Sequence, residues 1–372
     1  MRIFFAAGGT AGHVNPALAI AQYIQAQDKT SSILFAAAEG GMEKALVETA
    51  GFETVPLRVR GLRHGFSLKN VGVLFDAWRA VGHAEYLLRR FEPDVVLGTG
   101  GYLSYPVLQA ARRLRMKRVL HESNAIPGLV AKVLGPHMDS VLLSFKSAKE
   151  CFSKKTKCYF TGTPLREDFA RVNRQKAREE LGIKDGELLL LSFGGSLGAD
   201  EINRLALKLM YDGGLPPYVR VIHATGRRNY DRVMLAMSEH GLEPPAGCRV
   251  LPYIDPMSQA MAAADLVISR AGALTVSELA RLGRASILIP FPGATRDHQT
   301  KNAAALAALG GCSMLQEGPL AYDTLREEVF RLLLHPTERH RMESAALGSA
   351  PKNPEALIYT HLQSLVSNSA KI

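Results

Sequence analysis

Several things are scarce in this sequence, and each scarcity removes a class of function. Cysteine occurs four times, at Cys151, Cys158, Cys248 and Cys312, with no C-x-x-C pair and no zinc-like spacing. Reduced thiols are therefore expected, with neither a disulfide framework nor a structural metal. No H-E-x-x-H or comparable ligand set is present, so metal-activated chemistry lacks support and no cofactor is expected. No apolar run approaches the ~18 to 20 residues that cross a bilayer. The opening "MRIFFAA" reaches glycine too soon for a signal-peptide core, which predicts a cytoplasmic protein. Long basic runs, RNP-like segments and zinc-finger spacings are all missing, so no nucleic-acid partner is expected.

What is present indicates a soluble two-domain α/β protein. The 372 residues are 47% hydrophobic and 22% charged, too long for one typical core and rich enough for two. The net charge of +10 asks for an acidic partner without choosing among nucleic acid, anionic lipid and phosphorylated metabolites. Short β-rich runs ("MRIFFAA", "SSILFAAA", "DVVLGTG", "KRVLHES") alternate with helical patterns. A second such series runs from "ELLLLSF" to "ASILIPFP". This alternation predicts parallel sheets built from βαβ units. The halves echo each other, since "FFAAGGTAGHVNPALAIA" and "LLSFGGSLGADEINRLAL" both read strand, glycine turn, helix. The reading is two Rossmann-like domains whose sheets face an interdomain cleft, with domain ranges 1–163 and 164–345 and the linker near Gly162 and Pro164.

The glycine turns raise the functional question. Neither is followed by Lys-Ser/Thr and neither is a clean G-x-G-x-x-G, which weakens nucleoside-triphosphatase and nicotinamide readings. Gly194, Gly195 and Gly198 around Ser196 suit a phosphate at a helix start, or simply a tight turn with Ser196 as N-cap. His13, at the lip of "GGTAGHV", reads as a catalytic base, a ligand contact or a helix-start residue. In "VLHESNAIPG", His121, Glu122 and Asn124 end a strand where active sites form, though His121 equally suits a satisfied core position. Glu278 in "SRAGALTVSELA" suits a ribose, or a favourable first helical turn. Gln299, with Asp297, His298 and Asn302, suits a polyhydroxylated ligand or a solvated helix start. The helix around 66–81 carries Val71, Leu74, Phe75, Trp78 and Val81 on one face, with basic residues nearby. That face suits a core, or an anionic lipid surface.

The motifs "GGTAGHVNPALAIA", "GTGGYLSYP", "HESNAIPG", "TGTPLRE", "SFGGSLGA", "SRAGALTVSELA" and "DHQTKNA", in this order and spacing, resemble the bacterial MurG family of GT-B-fold glycosyltransferases. The resemblance covers roughly residues 2 to 345. It implies transfer of N-acetylglucosamine from UDP-N-acetylglucosamine to lipid I, with inversion and without a metal, giving lipid II for peptidoglycan. It further implies donor contacts from Thr10, Ala11, Gly12 and Asn124 to the sugar and from Arg166 and Ser196 to the diphosphate. Ile254 would meet uracil through its backbone, and Ala273, Leu274, Thr275, Val276, Ser277 and Glu278 would form the nucleotide-binding helix start, with Glu278 on ribose. Gln299 would read sugar hydroxyls. Ala11 replaces a frequent glycine, and Ser123 a usual glutamine.

With that resemblance, His13 becomes the expected general base, since an unperturbed imidazole titrates near neutral pH, and Glu122 the rival. The helix at 68–81 becomes the expected membrane contact through Leu68, Val71, Leu74, Phe75 and Trp78. Expected partners are UDP-N-acetylglucosamine, lipid I, the anionic inner-membrane surface at the cytoplasmic face and other cell-wall synthesis proteins. The segment 346–372 is expected to be helical and to cross back to the first domain. A UDP-sugar epimerase of the same fold is the alternative.

Overall fold

The structure, a computed structural model, describes residues 1–38, 40–59, 69–195, 198–212 and 214–367, without the side chains of 42 and 69–78. The chain divides into two compact units, one comprising Met1–Arg166 and Pro351–Ile372, the other Glu167–Ala350.

The first unit contains strands β1 (Arg2–Ala6), β2 (Ser32–Ala38), β3 (Glu53–Leu57), β4 (Val95–Gly98), β5 (Arg118–Glu122), β6 (Ser140–Leu143) and β7 (Cys158–Phe160). Between them run helices α1 (Ala11–Gln27), α2 (Met42–Thr49), α3 (Lys69–Phe91), α4 (Ser104–Arg113) and α5 (Leu129–Leu134). All strand pairs are parallel, in the order β3-β2-β1-β4-β5-β6-β7. Because helices cover both faces, the strands are apolar on both, and the period-2 alternation sorts their side chains. Phe4, Ala6, Val96 and Leu120 meet Val81, Ala84 and Leu88 of α3 and Val107 and Leu108 of α4. Ile3, Phe5, Val95 and Leu97 meet Val14, Ile20 and Ile24 of α1 on the other side.

The second unit contains α6 (Glu167–Arg171), α7 (Arg174–Leu181), β8 (Leu188–Phe193), α8 (Asp200–Asp212), β9 (Val219–Ala224), α9 (Tyr230–Glu239) and β10 (Cys248–Leu251). It continues through α10 (Met257–Ala263), β11 (Leu266–Ser269), α11 (Ala273–Leu282), β12 (Ser286–Leu288), α12 (His298–Ala307), β13 (Ser313–Met314), α13 (Ala321–Leu334) and α14 (Pro336–Gly348). Its sheet is also parallel, in the order β10-β9-β8-β11-β12-β13. At the amino ends of β8 and β11, Asp265 accepts from Arg174 Nη2 at 2.7 Å, Arg178 Nη1 at 3.0 Å and the Leu189 N–H at 2.8 Å. This pinned edge lies opposite the carboxyl ends where the glycine turns emerge.

After Ala350 the chain forms α15 (Pro354–Ser367), which belongs to the first unit. Ile358 and Leu362 enter the core beside α1, Tyr359 packs edge-on against Tyr23, and Glu355 Oε1 accepts from the Leu165 N–H at 2.7 Å. Full burial of an Ile or Leu side chain contributes ~1.5–3 kcal/mol, so these contacts hold the helix firmly.

Candidate functional site

In each sheet the strand order reverses at one point, between β1 and β4 and between β8 and β11. Ligands of doubly wound sheets bind beyond the carboxyl ends of the strands at such points. The glycine turns occupy them.

In the first unit, Gly8 and Gly9 lie in the turn after β1, and only Gly9 of that turn takes a left-handed backbone (φ +94°). Ala11 opens α1 without needing that freedom, so the alanine for glycine replacement leaves the turn intact. Thr10 precedes the helix, its carbonyl accepting from the His13 and Val14 N–H groups at 3.0 and 3.2 Å. Its hydroxyl lies 3.2 Å from His13 Nδ1. The turn after β4 is shaped around the same imidazole. A Cβ on Gly100 (φ +102°) would come 2.7 Å from His13 Cδ2, and one on Gly101 (φ +76°) 2.0 Å from the Gly8 carbonyl oxygen. Thr99 Oγ1 donates to the His13 carbonyl at 2.7 Å, and Ser104 Oγ donates to Ala6 O at 2.8 Å while accepting from the Gly100 N–H at 3.1 Å. Thr99 and Ser104 lie within the motif "GTGGYLSYP", but nothing local in the sequence assigns either a role, because their partners Ala6 and His13 are far along the chain.

Glu122 ends β5, two strands from β1 and thus roughly 10 Å from that strand's end by strand spacing. Its carboxylate is almost wholly buried and organises the next turn. Oε1 accepts from the Asn124 N–H at 2.9 Å and Nδ2 at 3.1 Å, and Oε2 from the Gly128 N–H at 2.9 Å. Burial pushes the Glu122 carboxyl above its ordinary range, with those donors opposing. Asn124 is thereby held with its amide nitrogen on Glu122. The Ser123 hydroxyl, at the usual glutamine position, turns inward to within 3.4 Å of His121 Nδ1, and Ser123 meets Glu122 through its backbone N–H. His121 is fully buried between Ser123, Ser144 and the Gly162 carbonyl, and burial lowers it to about 4. It is a satisfied core histidine. His223 is likewise buried, against Ser192, and lowered to about 4. Arg166, exposed, is the last residue of this first segment.

In the second unit, Ser196 falls outside the described residues. Its flanking glycines are shaped by contact, since a Cβ on Gly194 would meet Ala199 N at 2.3 Å and one on Gly198 the Thr225 carbonyl oxygen at 2.2 Å. The first turn of α8 carries Asp200 and Glu201, paired with Arg232 and Arg204. Helix α11 begins at Ala273 after Gly272, and its first intrahelical bond is Val276 N–H to Gly272 O at 2.9 Å. Its first-turn N–H groups, on Ala273, Leu274 and Thr275, therefore lie outside the helical ladder. Ser277 bonds back to the Ala273 carbonyl, Val276 is buried in the core, and Glu278 is half-buried on the same helix. Ile254 is buried just after β10. Gln299 opens α12, with Oε1 accepting from the Phe291 N–H at 3.0 Å. Asn302 is buried and donates to the Ala271 carbonyl at 3.3 Å, which ties α12 to the segment after β11.

Of the expected membrane residues, Leu68 lies outside the described residues. Val71, Leu74, Phe75 and Trp78 belong to α3 with their side chains outside them. Val81, further along α3, is buried in the core.

The description "Glycosyltransferase family 28 N-terminal domain" matches residues 3–143, and "Glycosyltransferase family 28 C-terminal domain" matches 189–357. A curated relative from Acetivibrio thermocellus, named "UDP-N-acetylglucosamine--N-acetylmuramyl-(pentapeptide) pyrophosphoryl-undecaprenol N-acetylglucosamine transferase", is 39% identical over 370 residues, covering 100% of both chains. The crystal structure of MurG from Acinetobacter baumannii superposes with a TM-score of 0.78 at 29% identity, covering 98% of this chain and 99% of that one. A UDP-N-acetylglucosamine 2-epimerase from Neisseria meningitidis reaches a TM-score of 0.69 at 12% identity, covering 98% and 100%, a likeness of fold alone. The two parallel sheets are those of the two-domain GT-B fold. Matched in both halves by the family 28 domains and end to end by such a transferase, the chain belongs to the MurG family of glycosyltransferases.

Proposed function

We infer that this protein transfers N-acetylglucosamine from UDP-N-acetylglucosamine to the C4 hydroxyl of the muramic acid of lipid I, forming lipid II for peptidoglycan. The observation that carries this is the end-to-end match, at 39% identity, to a transferase of that name. The epimerase alternative rests on fold only.

In the reading we favour, the second unit holds the donor. The start of α11 offers backbone N–H groups, Glu278 accepts from the ribose hydroxyls, Ile254 meets uracil through its backbone, and Gln299 reads the sugar. Ser196 and Arg166 take the diphosphate without a metal, stabilising charge that grows as UDP leaves. The first unit contributes Thr10, Ala11, Gly12 and Asn124 around the sugar, and presents the acceptor. Its C4 oxygen attacks the anomeric carbon opposite the departing phosphate, so the O4–C1 bond forms as the C1–O phosphate bond breaks. The configuration inverts, UDP departs with the bonding pair, and the hydroxyl proton goes to His13. The hydrogen bonds on both oxygens of Glu122 support His13 over Glu122 as the base, because that buried carboxylate already organises Asn124 and Gly128. Lipid I is membrane-anchored, which supports peripheral attachment at the cytoplasmic face through α3 and roles in cell shape and division.

The test is incubation with labelled UDP-N-acetylglucosamine and a lipid I analogue. Labelled β1,4-linked disaccharide is the expected product, whereas free epimerised sugar nucleotide without acceptor would overturn the reading. For attachment, the pair Leu74→Ser and Phe75→Ser should weaken binding to anionic vesicles while leaving Tm nearly unchanged. A large fall in Tm would identify core side chains instead.

A further inference from the structure

The loop from β12 to α12 carries Gln299 and is under backbone tension. Arg296 and Asp297, neither a glycine, both lie in the left-handed region with φ of +53° and +57°. Such residues persist where surrounding contacts over-determine them. The loop's base is gripped by one side chain from the neighbouring strand end. Arg270, just after β11, donates through Nη1 to the carbonyls of Ile289 and Pro290, both at 3.1 Å. Its guanidinium also lies over the Phe291 ring, 5.4 Å from the centroid. The Phe291 N–H in turn donates to Gln299 Oε1 at 3.0 Å. Arg270 is itself fixed by an ion pair with Glu317, which follows β13. Both partners are largely buried, so the pair is poorly screened.

We propose that Glu317 is a positioning residue for donor-sugar recognition, acting through Arg270 to hold the Ile289–Gln299 loop where Gln299 meets the sugar. Arginine suits this task because it stays charged beside a carboxylate, and here its Nη1 meets both carbonyls and, as an ion pair, Glu317 Oε1. Without the carboxylate, the guanidinium is free to turn toward water, and the loop loses the anchor that offsets its strained residues. The nucleotide should notice little, since it is assigned to α11, whose first turn Arg270 does not bond. The inference rests on the assignment of Gln299 to the sugar.

The experiment compares wild type with Glu317→Gln and Glu317→Asp in full-length protein, using a lipid I analogue and either UDP-N-acetylglucosamine or its C4 epimer. Glu317→Gln should lower kcat/KM for the proper donor by up to about tenfold, no more than loss of Gln299 itself, and shrink the preference over the epimer. Affinity for free UDP should stay at the wild-type level, and Glu317→Asp should restore part of the preference. In the double variant Glu317→Gln with Gln299→Ala, selectivity should fall no further than with Gln299→Ala alone, as expected of residues acting in one chain. Unchanged selectivity in Glu317→Gln would overturn the proposal, as would equal losses of UDP affinity and selectivity, which would mark a general structural role. If instead wild type transfers no sugar from UDP-N-acetylglucosamine, the functional assignment fails, and that outcome is separate.

Discussion

The turns after β1 and β8 are built alike and equipped differently. Both begin with a glycine pair whose second member is left-handed, Gly9 at φ +94° and Gly195 at φ +90°, and both sit where their sheet's strand order reverses. Four residues on, the first carries His13 and the second Ala199. The neighbouring loop differs too. Gly100 and Gly101, in the loop after β4, bring bare backbone against the His13 ring, whereas Gly198, within the second turn itself, approaches the Thr225 carbonyl and the Asn229 amide. One shape of turn thus serves two tasks. In the proposed reading the first turn displays a proton acceptor, His13, and the second leaves room for the donor's diphosphate.

If this division holds, the largest effect should come from the first turn. His13→Ala should lower kcat ~10²- to 10⁴-fold, the usual contribution of a positioned base, while donor affinity in titration calorimetry stays near wild type. A variant that loses donor affinity and keeps its turnover would make the two turns alike after all. Next comes Glu278→Ala, expected to weaken UDP binding by roughly 1.5 to 3 kcal/mol, the range for hydrogen bonds to a charged group, with little change in kcat at saturating donor. Wild-type UDP affinity would remove Glu278 from the nucleotide site, and as the sixth residue of α11 it lies beyond the first turn where the sequence reading offers it a dipole role.

Glu122 sharpens the comparison through pH. Burial holds its carboxyl above the ordinary 4.5, so the folded state grips the proton more tightly than the unfolded chain. Its stabilising share is full below the unfolded value and lost as pH rises through the folded one. Relative to wild type, Glu122→Gln should therefore gain in Tm as pH is raised from below the carboxyl's ordinary 4.5 through its elevated folded-state titration. A Tm difference independent of pH would show that burial does not raise this carboxyl. The smallest effect is assigned to Gln299→Ala, where loss of a neutral hydrogen bond, about 0.5 to 1.5 kcal/mol, should cut discrimination against the C4 epimer up to about tenfold in competition assays. Intact discrimination would remove the second unit from sugar reading.

How much of this was legible in the sequence follows from distance along the chain. The strand runs and glycine turns are local patterns, and the alternation of Ile3 and Phe5 with Phe4 and Ala6 is written in consecutive residues. The Glu122–Asn124 bond spans two positions, so the motif that suggested a site also contained its geometry. His121 stayed ambiguous because its environment is assembled from Ser144 and Gly162, which only the fold brings near. Arg270 stood inside a quoted motif without being singled out, since the carbonyls and carboxylate that give it meaning come from β12 and the segment after β13. Polar residues whose partners lie on other strands show no periodicity, and that part of the site was not readable.

The helix at 354–367 imposes an order on synthesis. The face of α1 that receives Ile358 and Leu362 is made early on the ribosome, yet its cover emerges only after all of residues 167–350 have been translated. At typical elongation rates that interval is on the order of ten seconds or longer, during which an apolar seam beside Val14 and Ile24 stands open. The unit begun first is therefore completed last, and until then this flank of α1 lacks the cover that Ile358 and Leu362 give it in the folded protein.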